Sequence, residues 1–560
     1  MDIIMKLQSI KHTINILLGG LMLSTAACNG DYLEEVPFGE VAPDEMSKSQ
    51  NIERAIVASY SILNGQFDGA SSAFNSPASN WSFGDAMSDD AYKGGGGTGD
   101  QNQIHQMEIF NINPTITDIS RKWLALYEGV KRTNYALSLL LESEEFDTEL
   151  RDTREGELRF LRGHFYFELK KIYNNVPFIN EQATTVDDYY VGNKALSEEE
   201  LWAQIENDFN TAYNLLPEDQ VDAGRPNKIT AKAYLAKVYI FQKKWQATLD
   251  AANEVMASGK YTLLLNFRDV FLPENDNSEE IIFAVQHSVN DGQPSNYNGS
   301  IGDRLSAPGG PYYPQYGFHR PSQNLINSYE TNAEGMPVMD DELSAGDFLD
   351  PRLDHTVARP GIPYLDLPIN YEASWARDLA TYGPYGPKKR IVSALSSYQV
   401  ETWPYISALN YYIIRYADLL LWKAEAQVEL GDLEGARETT NLVRARAANS
   451  QVVTKLESNE EADNYRLATY ELSWTNAEQA RDLVRLERRL ELAMEGHRFF
   501  DLVRWGIAAE TMNSYIEKEK EIRSHLVNAN FVEGKHEYFP IPQSYIDMMD
   551  PDLVEQNPNY

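Results

Sequence analysis

The chain has 560 residues, 42% of them hydrophobic and 24% charged, enough apolar material for a large core, which excludes disorder as its default state. Its 84 acidic residues against 49 Lys and Arg give a formal charge of -35, a surface that repels phosphate backbones and anionic headgroups and so argues against nucleic acid and direct membrane-face binding. A single cysteine leaves no internal disulfide.

At the amino terminus, Lys6 and Lys11 precede an apolar run, Ile14 to Leu23, that closes on Ser24, Thr25, Ala26 and Ala27. This is the pattern of a secretory signal peptide, over residues 1–27. The run is too short for a bilayer core of about 30 Å, which needs roughly 20 apolar residues. Small residues followed at once by Cys28 resemble a bacterial lipobox, in which the thiol takes a lipid and becomes the mature first residue. Each buried methylene of an acyl chain contributes about 0.8 kcal/mol, so two or more chains hold a soluble domain on a membrane.

From Asn51 to about Gly259 apolar residues recur at three and four positions, which predicts helices. Trp123, Leu126, Tyr127, Val130, Asn134, Leu137 and Leu141 fall on one stripe, and RFLRGHFYFELKKIYNNVP repeats the device until Asn174, Asn175 and Pro177 break it. A further helix from about Ser197 to Leu216 carries a capping box in Ser197 and Glu200. ITAKAYLAKVYIFQKKWQATLDAANEVMASGKY then sets two helices around a tight connection, with Leu235, Ala236, Tyr239 and Trp245 at tetratricopeptide-like offsets. A second such unit follows at about 410–447, where Ala424, Gly431 and Ala436 take the small positions. Between the units, from about Tyr261 to Trp403, helical period is lost and Gly, Pro, Asn and Tyr crowd together. Loops of that length are usually functional. One more helix, from about Ala480 to Trp505, precedes a Pro-rich tail within 480–560. These elements predict an all-α fold over 28–560, a helical-hairpin scaffold interrupted by a long irregular insertion.

Motifs of catalysis are scarce. GGGGTG, Gly94 to Gly99, matches G-x-G-x-x-G, but polar, loop-like sequence on both sides predicts neither the preceding strand nor the following helix that phosphate binding requires. It reads as a flexible glycine run beside a binding or contact surface. No H-E-x-x-H or paired C-x-x-C spacing occurs, so no metal site or cofactor is expected. His497 reads as a hydrogen-bonded structural residue inside the last helix, and NDNSEE, Asn275 to Glu280, as a solvated loop. There is no G-x-S-x-G elbow. Paired carboxylates of a glycosidase are not separable in sequence from surface acids.

Aromatic residues stand out instead, with 33 Tyr, 21 Phe and 9 Trp. Tyr and Trp in Gly/Pro loops offer a flat apolar face with a polar edge, which suits sugar rings. Two clusters qualify as ligand-binding candidates. One is NWSFGDAMSDDAYKGG, with Trp81, Asp85, Asp89 and Tyr92, and the other comprises Tyr297, Tyr312, Tyr313, Tyr316 and Trp375. The alternative is that these rings pin irregular loops onto the core.

Several segments together resemble the SusD/RagB family of surface lipoproteins. CNGDYLEEVP is similar to that family's mature start. RFLRGHFYFELKKIYNNVPFI, RYADLLLWKAEAQVELGD, NLVRARA, ERRLELAMEGHRFFDLVRWG and EYFPIPQSYIDMMDPDLVEQNPNY are similar to its recurring segments, in order. The resemblance implies a tetratricopeptide-like all-α fold with an irregular ligand-binding half. It also implies lipid anchoring at Cys28 on the outer membrane and a binding role without catalysis. The implied partner is a TonB-dependent transporter of the SusC type, which receives captured oligosaccharides, or peptides in some members. Asp31, Glu34 and Glu35 are similar to the family's export signal. Arg498, Phe499, Phe500, Arg504 and Trp505 read as fold-holding. A glycoside hydrolase and a helical-repeat scaffold for other envelope proteins remain the alternatives from other classes.

Overall fold

The computed structural model describes residues 48–67, 73–183, 185–293, 296–339, 343–344, 346–400 and 405–560. The leader, Cys28 and the acids Asp31 to Glu35 lie outside the described residues. No helix among the described residues is long and apolar enough to cross a membrane.

The first half is a succession of packed helices: α1 (Ser49–Ser61), α2 (Asn102–Glu108), α3 (Thr117–Glu142), α4 (Thr148–Tyr173), α5 (Glu198–Leu215), α6 (Lys228–Phe241) and α7 (Trp245–Ala257). Two of these helices show the local cause of their boundaries. Asp147 accepts the Leu150 N–H to start α4, and Asn174 ends it at φ 63°. Ser197 and Glu200 cap α5 reciprocally, a box that stabilises a helix start by about 1 kcal/mol. After the insertion come α8 (Tyr416–Glu429) and α9 (Leu433–Asn449), with Ala424 and Ala436 fully buried. Neighbouring helices pack pairwise, and α7 packs directly on α8, so the stack continues across the insertion.

The insertion leaves and returns through an antiparallel pair, β2 (Ile281–Val285) against β4 (Tyr411–Arg415), with every residue of both strands buried. A second pair joins β1 (Ala91–Gly94) to β3 (Phe318–Pro321), tying the loop region before α2 to the insertion. The remaining pairings are two residues long, 330–331 with 348–349 and 357–358 with 386–387.

The sequence predicts one helix from Ala480 to Trp505, but the structure has two, α10 (Ala477–Leu492) and α11 (Arg498–Trp505), followed by α12 (Ala508–Glu519). Met494 and Gly496 break the helix at φ 65° and 82°. The second must be glycine, because an added Cβ would stand 1.8 Å from the Ser79 carbonyl oxygen. His497 therefore precedes α11 as its N-cap residue, and its Nε2 is buried without a hydrogen-bond partner.

NDNSEE departs from the solvated loop expected at its last residue: Asn277 and Glu279 are exposed, but Glu280 is completely buried. It belongs to a network of ten charges where insertion and helical body meet. Five carboxylates (Glu280, Asp350, Glu487, Glu491, Glu495) face five cations (Arg352, Lys389, Arg415, Arg444, Arg446). Arg415 alone reaches Glu491 at 2.6 Å, Glu495 at 2.9 Å and Glu280 at 3.1 Å. Burial on its own would raise the Glu491 carboxyl, but Arg446, Arg415 and Arg352 hold it down at about 2. Buried charges persist when each is paired and hydrogen-bonded.

Candidate functional site

The first sequence cluster forms a buried floor. Trp81 is only 1% exposed and sits in a π-helical turn, Trp81–Asp85, with its ring 6.4 Å from Phe318 and 5.4 Å from His319 between centroids. Asp85 accepts the Gly496 N–H at 2.9 Å and pairs with His319 Nε2 at 2.9 Å. Asp89 receives Arg498 Nε and Nη2 at 2.8 and 2.9 Å. Despite burial, Arg489 and Arg498 hold its carboxyl well below the ordinary range. Burial raises the neighbouring Asp90 to about 6, even though it pairs with Arg489 at 2.8 Å. Tyr92 donates to Glu519 at 2.6 Å. The expectation that these four side chains meet a ligand is corrected, because His319 and the Gly496 N–H occupy Asp85, Arg489 and Arg498 occupy Asp89, and the rings pack inward.

The second cluster divides. Tyr313 is buried and donates to the Val392 carbonyl at 2.8 Å. Trp375 is buried too, against Tyr364 and Tyr371. The backbone of Gly310 lies flat on its indole, where a Cβ would come within 2.3 Å of Cδ2. Both are corrected from ligand contacts to interior anchors. Tyr312 and Tyr316 are half-buried, packed on the Trp375 cluster with part of each ring outward. Tyr297 is 40% exposed, and its carbonyl accepts from Gln66 Nε2.

Three loops converge around Tyr316. Gly95 donates its N–H to the Gly317 carbonyl at 2.9 Å. Arg377 Nη1 donates to the Tyr316 carbonyl at 3.0 Å and to Asp100 Oδ2 at 2.9 Å, and Asp100 also accepts the Gly96 N–H at 2.9 Å. The Arg377 side chain is 45% exposed and that of Asp100 29%, and open space lies beside Gly99. The result is a platform in which the Arg377–Asp100 pair is tied to the backbone of Tyr316, and Tyr312 and Tyr316 pack on one aromatic cluster, a combination of charged groups and rings suited to hydroxyl-rich ligands. Sequence reasoning missed Arg377 and Asp100. The available signals were their places two residues after Trp375 and directly after the glycine run.

That run has a strand before it, β1, and a helix after it, α2, contrary to the loop flanks expected. Lys93 Nζ donates to the carbonyls of Gly94 at 2.9 Å and Gly97 at 3.0 Å, and also to that of Asp100. Carbonyls that converge on an ammonium have the opposite polarity to an amide nest for phosphate. Burial lowers Lys93 to about 8, against the pull of Glu108 and Asp100. The described residues contain no group of three or more His, Cys, Asp and Glu placed to hold a metal ion.

A family model described as the SusD family matches residues 279–560. A second, described as starch-binding associating with outer membrane, matches residues 37–240. A SusD-like protein of Formosa agariphila is 25% identical, with 99% of each chain covered. A laminarin-binding SusD-like protein of known structure is 26% identical, superposes with a TM-score of 0.68, and covers 92% of this chain and 100% of its own. Surface glycan-binding protein A of Bacteroides thetaiotaomicron, solved with laminarihexaose, shares the fold at 23% identity, with a TM-score of 0.65, 91% of this chain and 100% of that one covered.

Proposed function

The chain belongs to the SusD family, and on that premise we propose that it is a cell-surface glycan-binding lipoprotein without catalytic activity. It captures oligosaccharides and delivers them to a TonB-dependent outer-membrane transporter of the SusC type. The observation that carries this reading is the likeness, over nearly its whole length, to a laminarin-binding protein of the same fold, together with the exposed Tyr and Arg–Asp platform. Tyr312 and Tyr316 would stack on sugar faces while Arg377 and Asp100 meet hydroxyls, and Tyr297 would extend the surface for a longer chain. Each ring contributes little alone, so several must engage one polysaccharide. Cys28 would carry the lipid that anchors the protein.

Affinity electrophoresis through gels of laminarin and other polysaccharides tests the reading. A Tyr312→Ala/Arg377→Ala variant is expected to lose most of the retention that the unaltered protein shows in one gel. Its melting temperature is expected to stay within a few degrees. Equal migration of both proteins in every gel removes the site. Radioactive palmitate that labels the protein, and fails to label a Cys28→Ser variant, is expected for the anchor.

A further inference from the structure

Between the insertion and the loop after α9 lies a cleft of about 530 Å³ that shares no lining residue with the platform. Its size falls within the roughly 300–1,000 Å³ of small-molecule sites. Leu365, Leu367 and Val392 supply apolar walls, and Arg268, His355 and Lys388 line it with nitrogen. Lys388 is only 3% exposed, and its Nζ donates to the Pro363 carbonyl at 2.7 Å. Arg268 donates to the carbonyls of Lys389 at 2.6 Å and Ile391 at 3.3 Å. Among the described residues, neither cation has a carboxylate oxygen within 4.0 Å. The ten-charge network matches every cation with an acid, and the whole chain carries -35, so a buried lysine and a half-buried arginine without a carboxylate beside them in an open cleft are out of character. A buried charge without a partner is costly. Burial lowers Lys388 to about 7, with Asp354 opposing and Arg268 and Arg359 adding to the shift. An anion seated beside it would restore its charge. The acids that line the cleft, Glu274 and Asp366, are both exposed, where salt screens them over about 10 Å at 0.1 M.

We propose that this cleft is a second ligand site, which takes a compact organic anion with its carboxylate or sulfate ester against Arg268 and Lys388 and its body against the apolar walls. The narrower identification of that anion as an acidic sugar rests on the glycan reading above.

Isothermal titration of the purified protein with glucuronic acid, galactose 6-sulfate, glucose, galactose and sodium sulfate tests it. The two acidic sugars are expected to bind and the neutral parents to give no heat. Lys388→Met is expected to weaken binding at least tenfold. Lys455→Glu, at the exposed rim, is expected to weaken it about threefold, and because it cannot disturb the core it decides the matter if Lys388→Met fails to fold. Neutral sugars that bind as well as acidic ones, full affinity in a folded Lys388→Met, or, where that variant does not fold, full affinity in Lys455→Glu, overturn the site. Sodium sulfate as tight as galactose 6-sulfate overturns the organic body. Acidic-sugar binding without retention in any polysaccharide gel leaves the cleft standing and removes the platform reading.

Discussion

The helical body and the insertion are held together by different physics. In the body one large apolar cluster runs from Ile62 through α3 to α8 and on to Ile541, so cohesion is non-directional and spread over many rings. Among the described residues of the insertion, Ile282, Phe283, Val285 and Tyr382 join that cluster, and most of the other apolar side chains fall in small clusters beside strands of two to five residues. There the cohesion is directional. Tyr313, Tyr364 and Tyr412 donate their hydroxyls to the carbonyls of Val392, Pro387 and Val270, and the ten-charge network clamps the insertion to α10. A chain without periodicity cannot align a continuous apolar face, so it relies on specific bonds to fix each loop.

The sharpest way to break that contrast is acid. Glu491 at about 2, and Glu495 below the ordinary value of 4.5, are depressed carboxyls. A depressed carboxyl contributes stability above its unfolded value that is lost as pH falls through the folded one. Hydrogen exchange between pH 5 and 2.5 is therefore expected to open the insertion before α3 to α6, and simultaneous opening would erase the distinction. Next in size, Arg415→Met leaves Glu491 and Glu495 short of a partner, and denaturant unfolding should show a loss of about 3–5 kcal/mol. Trp81→Phe is smaller, about 1–2 kcal/mol, because the lost packing is partly offset by removal of an indole N–H that is buried without a partner. Its retention in polysaccharide gels is expected to remain unchanged, since the ring lies under the platform. Smallest is Ser197→Ala on α5, about 1 kcal/mol by thermal melting, with no effect on the insertion.

The same division governs what the sequence discloses. The stripe from Trp123 to Leu137 and the Ser197–Glu200 box are local, so spacing reveals them. Glu280, Asp89 and Gly496 answer to Arg415, Arg498 and Ser79, each far away along the chain, so nothing near them marks the acids as buried or the helix as broken. The rings divided on the same ground: Tyr312 lies in a Gly/Pro-rich stretch and Trp375 in EASWARD, and neither context discloses that Gly310 packs over the indole and puts Trp375 inside while Tyr312 stays half outside. Arg377 and Asp100 were missed because an arginine and an aspartate singly spaced in loops carry no periodic signal at all.

The β2–β4 join has an evolutionary consequence. Val285 and Tyr411 lie opposite each other, so everything between them begins and ends at one doorstep, and α7 meets α8 whatever the length of chain that intervenes. That whole cassette is exchangeable without moving α7 from α8, provided the newcomer brings counterparts of Arg352 and Lys389 to meet the waiting Glu487, Glu491 and Glu495 of the host.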